Sequence, residues 1–186
     1  LMEELSDLLK IKNIETIEAF DNSNINGASA VSAMVSFVNG KPNKKGYRKY
    51  KVKTVEGAND AQTMYEVVTR RYSKIEKYPD LIIMDGGSIQ VNSCKRALED
   101  LNINIPVCGL VKDDKHQTRG IIFNNEEFII NRSSNLMQLV RRIQDEVHRF
   151  AITYHRTLRD KRTLHSILED IPNVGEKRRR NLLMKF

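Results

Sequence analysis

The feature that most constrains the fold is a short apolar run, Leu81–Met84, with an aspartate on each side and Gly86-Gly87 after it. An uninterrupted apolar run of this length is typical of a strand buried on both faces, as in a parallel sheet covered by helices. Helical spacing precedes the run over residues 59–75 and follows it over residues 89–101, before a second buried strand at 106–111. The sequence therefore predicts parallel strands joined by helical crossovers.

The segment before these crossovers has the pattern of an antiparallel meander. Strands are predicted at 14–20, 30–38 and 47–55, and Asn39-Gly40 is a strong hairpin signal between the last two. A short helix at 3–9 precedes the meander; a hairpin at 121–130 and a long amphipathic helix at 135–159 follow the crossovers. The predicted class is α/β, with three antiparallel strands extended by parallel ones and flanked by helices, an order that resembles the ribonuclease H fold.

Composition narrows the class of protein further. The chain has 186 residues, of which 40% are hydrophobic and 30% charged, a balance typical of folded rather than disordered chains. No run of about 18 apolar residues suggests a membrane span, and the first residues lack a signal-peptide pattern, so we expect a cytoplasmic protein with no membrane partner. Cys94 and Cys108 lack metal or disulfide spacing, and no glycine-rich nucleotide motif occurs, so no nucleotide cofactor is expected.

Positive charge is concentrated in two regions of a chain whose net charge is +7. Residues 41–53 hold seven Lys and Arg and no acid, and residues 141–186 hold 12 Lys and Arg against 6 Asp and Glu. Clustered bases suit a polyanion, so Lys44, Lys45 and Arg48 are candidate phosphate contacts. A basic run that only keeps the surface soluble is the alternative.

Two predicted strands end in aspartate at the same edge of the sheet. Asp21 follows the first strand and Asp85 the central buried one, and paired carboxylates can hold Mg²⁺ or Mn²⁺ against a phosphate. Strand-capping roles for both residues are the alternative. A third ligand is expected from the polar flank of the long helix, where periodicity alone leaves Asp145 and His148 open.

Lesser candidates lie at the ends of other elements. Lys112 and Lys115 follow the third parallel strand, where they could contact phosphate or simply be solvated. Asp60 begins a predicted helix, where a capping role is sufficient explanation.

The chain is predicted to divide into a domain at residues 1–162 and a helical segment at 163–186. In that segment a Pro/Gly hairpin at 171–175 separates two short helices. The hairpin would expose backbone N–H groups to a phosphate, with basic residues directly after it. The candidate DNA contacts here are Gly175, Lys177, Arg178 and Arg179.

Three segments carry a resemblance to a known family: IEAFDNS (17–23), DLIIMDGG (80–87) and RIQDEVHRFAITYHR (142–156). They occur in the same order in UvrC, the incision subunit of bacterial nucleotide excision repair, and the resemblance runs from about residue 14 to the end. It implies an RNase H-like endonuclease domain that makes the 5′ incision beside a lesion, followed by the first helix-hairpin-helix of a DNA-binding module.

The resemblance also implies site residues and partners. It assigns a catalytic and metal-binding triad to Asp21, Asp85 and His148, which selects His148 over Asp145, and it adds Asp60 as a further catalytic residue. The implied partners are damaged double-stranded DNA and UvrB, whose docking segment lies outside this chain. The sequence departs from many family members at Asn24, where they have His, and at Ile89, where they have Gly.

We therefore expect a divalent-metal-dependent endodeoxyribonuclease that hydrolyses phosphodiester bonds. A non-catalytic DNA-binding module of a repair complex is the alternative from another class. An RNA-cleaving relative of the same fold is a third possibility.

Overall fold

We describe the protein from a computed structural model that covers residues 1–23, 30–53, 59–169, 171–172 and 175–185. The strands are β1 (Thr16–Ser23), β2 (Val31–Val38), β3 (Lys41–Pro42), β4 (Arg48–Lys51), β5 (Leu81–Met84), β6 (Val107–Lys112), β7 (Thr118–Phe123) and β8 (Glu126–Ile129). The α-helices are α1 (Met2–Leu9), α2 (Asp60–Tyr72), α3 (Ser88–Asp100), α4 (Asn135–Glu169) and α5 (Glu176–Lys185). None of the helices in these ranges is both long and apolar enough to cross a membrane.

All eight strands form one mixed sheet. Its order is β3-β2-β1-β5-β6-β7-β8, and β4 pairs with β2 beside β3. β1, β5 and β6 are parallel to one another, whereas the remaining pairings are antiparallel. The predicted combination of an antiparallel meander with parallel crossover strands is confirmed.

Helices cover both faces of the sheet, which explains the continuous apolar run in β5. Leu81 and Ile83 pack into a core cluster with α1 and α4, while Ile82 and Met84 pack into a second cluster with α2 and α3. Side chains alternate between the faces of a strand, so a strand covered on both sides must be apolar at every position. The two cysteines are buried free thiols.

The third predicted strand, 47–55, is shorter in the structure, where β4 covers Arg48–Lys51, and the short strand β3 before it was not predicted. Asn39 and Gly40 form the expected turn with φ of 48° and 75°, but β3 ends after two residues and a 3₁₀ turn at Lys44–Gly46 precedes β4. Pro42 has no N–H to donate to a strand ladder, which favours the early break. Residues 54–55 of the predicted strand lie outside the described residues.

Two elements differ from the prediction: the 121–130 hairpin belongs to the main sheet, and α4 is longer than predicted. The 121–130 hairpin forms, with Asn124 and Asn125 at φ of 49° and 61°, and it joins β6 as the antiparallel edge of the main sheet. Helix α4 continues to Glu169, ten residues past its predicted end, so residue 162 lies within a continuous helix. Its last buried residue is Ala151, and the division at 162 stays a prediction. Residues 173–174 of the predicted hairpin lie outside the described range.

Candidate metal centre

Asp21 and Asp85 lie side by side where the parallel pairing of β1 and β5 ends. The last paired residues are Phe20 and Met84, and the Asp85 N–H donates to the Phe20 carbonyl at 2.9 Å. The prediction that β1 ends at Asp21 is wrong, because β1 stays paired with β2 through Ser23. Asp21 is therefore paired with β2 on one side of β1, and on the other side, where the pairing with β5 has ended, it faces Asp85.

Helix α4 supplies the third group. It packs Val147 into the core and places His148 Nδ1 3.2 Å from Asp21 Oδ2. One donor atom from each of Asp21, Asp85 and His148 lies within 4.8 Å of the others, and this is the one such cluster among the described residues. Of the two candidates that periodicity left open, Asp145 is not part of the cluster.

The cluster carries excess negative charge around a buried carboxylate. Burial and, second, the neighbouring Asp85 raise the pKa of Asp21 from 3.8 to about 6, against the opposing effects of His148 and Lys112. The Asp21 residue is only 8% exposed, whereas 63% of the His148 side chain is accessible. A site with two carboxylates, little solvent and one open side favours a bound cation.

Asp85 is held by two further side chains. Lys112 Nζ lies 3.2 Å from Asp85 Oδ1, and the Gln144 amide donates to the same oxygen at 3.0 Å. Gln144 in turn accepts a hydrogen bond from the buried Thr118 hydroxyl at 2.6 Å. Sequence analysis gave neither Gln144 nor Thr118 a role; the available signal was that Gln144 lies one helical turn before His148.

Asp60 begins α2 close to Asp21 in the fold. Its carbonyl accepts a hydrogen bond from the Asn22 amide at 3.3 Å, while the Asn59 side chain caps the helix by accepting from the Gln62 N–H at 3.0 Å. The Asp60 carboxylate is not one of the clustered donor atoms. Its catalytic role stays a prediction.

The turn after β6 is organised by Asp113. One Asp113 oxygen accepts from the backbone N–H groups of Lys115 and Gln117 at 2.9 and 3.0 Å, and the other accepts from Arg132 at 2.7 Å. These hydrogen bonds hold the pKa of Asp113 below its usual value. The exposed Lys115 side chain therefore projects from a turn that is fixed by its neighbour.

The basic segment at 41–53 packs against α4. The Tyr47 hydroxyl donates to Glu146 at 2.9 Å, and Lys49 Nζ lies 5.0 Å from the Phe150 ring centroid. Arg48 donates to two carbonyls of its own segment. The exposed bases of this segment are therefore close to the stretch of α4 that carries His148. They include the predicted contacts Lys44, Lys45 and Arg48.

The C-terminal candidates lie at the start of α5. The backbone N–H groups of Arg178 and Arg179 already donate to the Gly175 carbonyl at 3.0 and 3.1 Å, and Lys177 is exposed. Glu169, where α4 ends, is 21 residues beyond His148, which is about 30 Å along the helix axis. These residues therefore form a second basic region, separate from the 41–53 segment.

Comparison with known proteins decides the family. A family model described as the UvrC RNAse H endonuclease domain matches residues 6–152. The chain belongs to the UvrC family. The family and the RNase H-like mixed sheet predicted from the sequence are confirmed, and Asp21, Asp85 and His148 all lie within the matched part of the UvrC chain.

Relatives and solved structures complete the comparison. UvrABC system protein C from Clostridium perfringens (strain SM101) is 58% identical over 203 residues, covering 98% of this chain and 33% of the relative. The Clostridium beijerinckii protein is 56% identical over 205 residues, covering 100% and 33%. The chain thus spans a third of the length of these UvrC proteins. Endonuclease V from Bacillus subtilis has 14% identity and a TM-score of 0.44, covering 84% of this chain and 91% of that one.

Proposed function

We propose that this chain hydrolyses a phosphodiester bond of damaged double-stranded DNA, as the part of a UvrC protein that makes the 5′ incision in nucleotide excision repair. The carrying observation is the convergence of Asp21, Asp85 and His148 donor atoms within 4.8 Å at the carboxyl ends of parallel strands. Ligands of open α/β sheets bind at this edge. Membership of a family defined by an RNase H endonuclease domain supports the same reaction.

The three residues fit a divalent cation. Two carboxylates and an imidazole are oxygen and nitrogen donors that Mg²⁺ or Mn²⁺ accept, and burial together with the adjacent Asp85 carboxylate raises the pKa of Asp21, which a bound cation would offset. Asp21 and Asp85 would hold the cation, with His148 as a third ligand or as the group that orients the attacking water. Such a cation supplies Lewis acidity toward a phosphate oxygen and lowers the pKa of bound water.

The surrounding side chains position these groups. Gln144 and Lys112 both contact Asp85 Oδ1, so they fix the plane of this carboxylate. If His148 Nδ1 donates to Asp21, the other ring nitrogen is left as an acceptor on the exposed side of the imidazole. Asp60 is proposed to assist from the start of α2.

Positive residues around the centre would hold the DNA backbone. Lys112 lies next to the Asp85 carboxylate and Lys115 is exposed on the turn after β6, while Lys44, Lys45 and Arg48 belong to the exposed segment packed on α4. At the far end of α4, the proposed contacts are Gly175, Lys177, Arg178 and Arg179. UvrB is the proposed protein partner, through a segment outside this chain.

The test compares this chain with its Asp21→Asn variant on nicked-plasmid formation in Mn²⁺. We expect the wild type to nick DNA and D21N to lose nicking at least a hundredfold, while binding DNA as well or better because a negative charge is removed. D7N is the matched control, since Asp7 is an exposed carboxylate on α1, and it should nick like the wild type.

Two outcomes would favour other functions. If the wild type binds DNA but never nicks it with either metal, the chain acts as a DNA-binding module. If the wild type cuts an RNA–DNA hybrid but not duplex DNA, the chain is an RNA-cleaving enzyme and the proposed DNA substrate is wrong.

A further inference from the structure

A cavity of about 330 Å³ lies beside the metal centre. Gln144 forms part of its wall and also donates to Asp85, so the cavity is separated from the centre by a single side chain. Its lining consists of His116, Gln117, Thr118, Arg141, Gln144 and Asp145.

One wall of the cavity is rigid without any ligand. The turn that carries His116 and Gln117 is closed by Asp113, which accepts two backbone N–H groups and an Arg132 guanidinium. The opposite wall is α4, which is fixed in the core through Val140 and Ile143. A cleft whose walls are held by independent contacts is preorganised for a ligand.

Several polar side chains in the cavity are unused. Among the described residues, the side chains of Arg141, His116 and Gln117 make no hydrogen bond or ion pair, whereas Thr118 and Gln144 bond to each other. Arg141 is half-buried, and a half-buried guanidinium without an acidic partner gains most from an anion. The cavity therefore presents unused donors beside a centre built for phosphate chemistry.

The lining also indicates which part of a nucleic acid would enter. It contains no Phe, Tyr or Trp side chain for stacking a base, and its one aromatic ring is the imidazole of His116, which can donate a hydrogen bond to a phosphate. Its one acid, Asp145, is exposed, and among the described residues Asp145 and Arg141 form no ion pair. A backbone phosphate bound by Arg141 matches this lining better than a base does.

We propose that this cavity is a subsite for a backbone phosphate next to the scissile one, and that Arg141 is the residue that binds it. The inference rests on the proposed function, because it takes the metal centre as the point of cleavage. The phosphate fixes the register of the strand, so that the adjacent phosphodiester lies against Asp85.

The test measures binding of a DNA duplex to the 186-residue chain in a D21N background, where cleavage does not interfere. Arg141→Gln should weaken binding about tenfold, as expected for loss of one charged hydrogen-bonding group. The association constant K also falls with salt concentration. The steepness of log K against log salt concentration should decrease by about 0.9 in the variant, since one phosphate contact is lost. The matched control is R96Q, which removes an exposed arginine from α3 and should leave the slope near that of the parent.

A methylphosphonate scan locates the contact. Neutralising phosphates one at a time should weaken binding of the parent at one position beside the cleavage site, and R141Q should be insensitive at that same position. An R141Q chain that keeps the parent slope and the parent methylphosphonate pattern would overturn the subsite.

Asp145→Asn supplies a test of opposite sign. It removes the one negative charge from the cavity lining, so it should tighten binding and leave the methylphosphonate position unchanged. Weaker binding by D145N would contradict an anion subsite. Because these arms read binding alone, they separate failure of the subsite from failure of the wild type to nick.

Discussion

Asp21 combines two properties that conflict in the absence of a cation. It is fixed in the ladder between β1 and β2 and almost completely buried, yet it faces the carboxylate of Asp85. Burial and Asp85 together raise the pKa of Asp21 to about 6. The folded state therefore binds a proton at Asp21 more tightly than the unfolded chain does.

The first prediction concerns stability against pH without metal. Since the folded pKa of Asp21 exceeds its ordinary value of 3.8, its contribution to stability is complete below pH 3.8 and is lost as the pH rises through about 6. Asp21→Asn removes this loss, so in EDTA at pH 8 we expect D21N to be more stable by up to about 3 kcal/mol. At pH 4 the gain should disappear. Urea unfolding at both pH values measures the difference.

Mn²⁺ should remove most of the stability difference between D21N and the wild type at pH 8. At a Mn²⁺ concentration 100 times the dissociation constant, the wild type should gain about 2.7 kcal/mol, and D21N should gain far less. D7N should have the same stability as the wild type in EDTA at both pH values and in Mn²⁺. A D21N chain that is less stable than the wild type at pH 8 in EDTA would show that the carboxylate is not under electrostatic strain.

Residue roles differ in how far the sequence reveals them. The proximity of Asp21 and Asp85 was predictable because each directly follows a strand-forming run in the sequence. Spacing could not separate Asp145 from His148, because both lie on the polar flank of α4 and only the packing of Val147 decides which one faces the carboxylates. The role of Gln144 depends on Thr118, 26 residues earlier on a strand whose pairing with β6 was not predicted.

At the scale of elements, the metal centre depends on how closely β6 approaches the end of β5. Gly109 pairs with Met84, and a Cβ atom built on Gly109 would lie 2.7 Å from Val91 Cγ2 and 2.9 Å from the Gly86 carbonyl oxygen. Gly86 directly follows Asp85. The missing side chain therefore allows the Asp85-Gly86 backbone to sit against β6.

The second prediction uses this close approach. Gly109→Ala should destabilise the protein by about 1–3 kcal/mol, because the added methyl group overpacks a site bounded by backbone. Displacement of Asp85 should also weaken Mn²⁺ binding. Unfolding in urea and calorimetric titration with Mn²⁺ measure the two effects.

Gly87→Ala is the matched control. A Cβ atom there meets nothing within 4 Å, and the φ of Gly87 is −78°, which any residue adopts. G87A should therefore keep both stability and Mn²⁺ affinity. Unchanged Mn²⁺ affinity in G109A would show that Asp85 does not depend on the packing of β6.

Element types were more predictable than element ends. Continuous apolar runs and caps such as Asn59 identified β5, β6 and α2 because these signals are local. The end of α4 was missed because residues 160–169 continue the helix with no buried face, where core packing gives no periodic signal. The two-residue strand β3 was also missed, since Asn39-Gly40 predicts the turn but not where the next strand begins.

For the whole molecule, the residues that form the core and the basic C-terminal residues lie in different parts of the chain. Both core clusters lie before residue 152, and no buried residue occurs in the described part of 152–185. The basic start of α5 lies about 30 Å from His148 along α4. The C-terminal segment should therefore contribute to DNA binding and little to the stability of the fold.

The third prediction removes residues 163–186 from the chain. Because the deleted part buries nothing in the core, the midpoint of thermal unfolding should change by no more than about 2 °C. DNA affinity should fall, and the slope of log K against log salt should decrease by up to about 2.7 if Lys177, Arg178 and Arg179 each contact a phosphate.

The triple variant K177Q/R178Q/R179Q in the intact chain is the control, and it should reproduce the loss of binding at unchanged stability. Mn²⁺ affinity should match the wild type in both chains, because the metal centre is complete without this segment. A fall of the unfolding midpoint by more than about 5 °C would mean that the division at residue 162 is wrong.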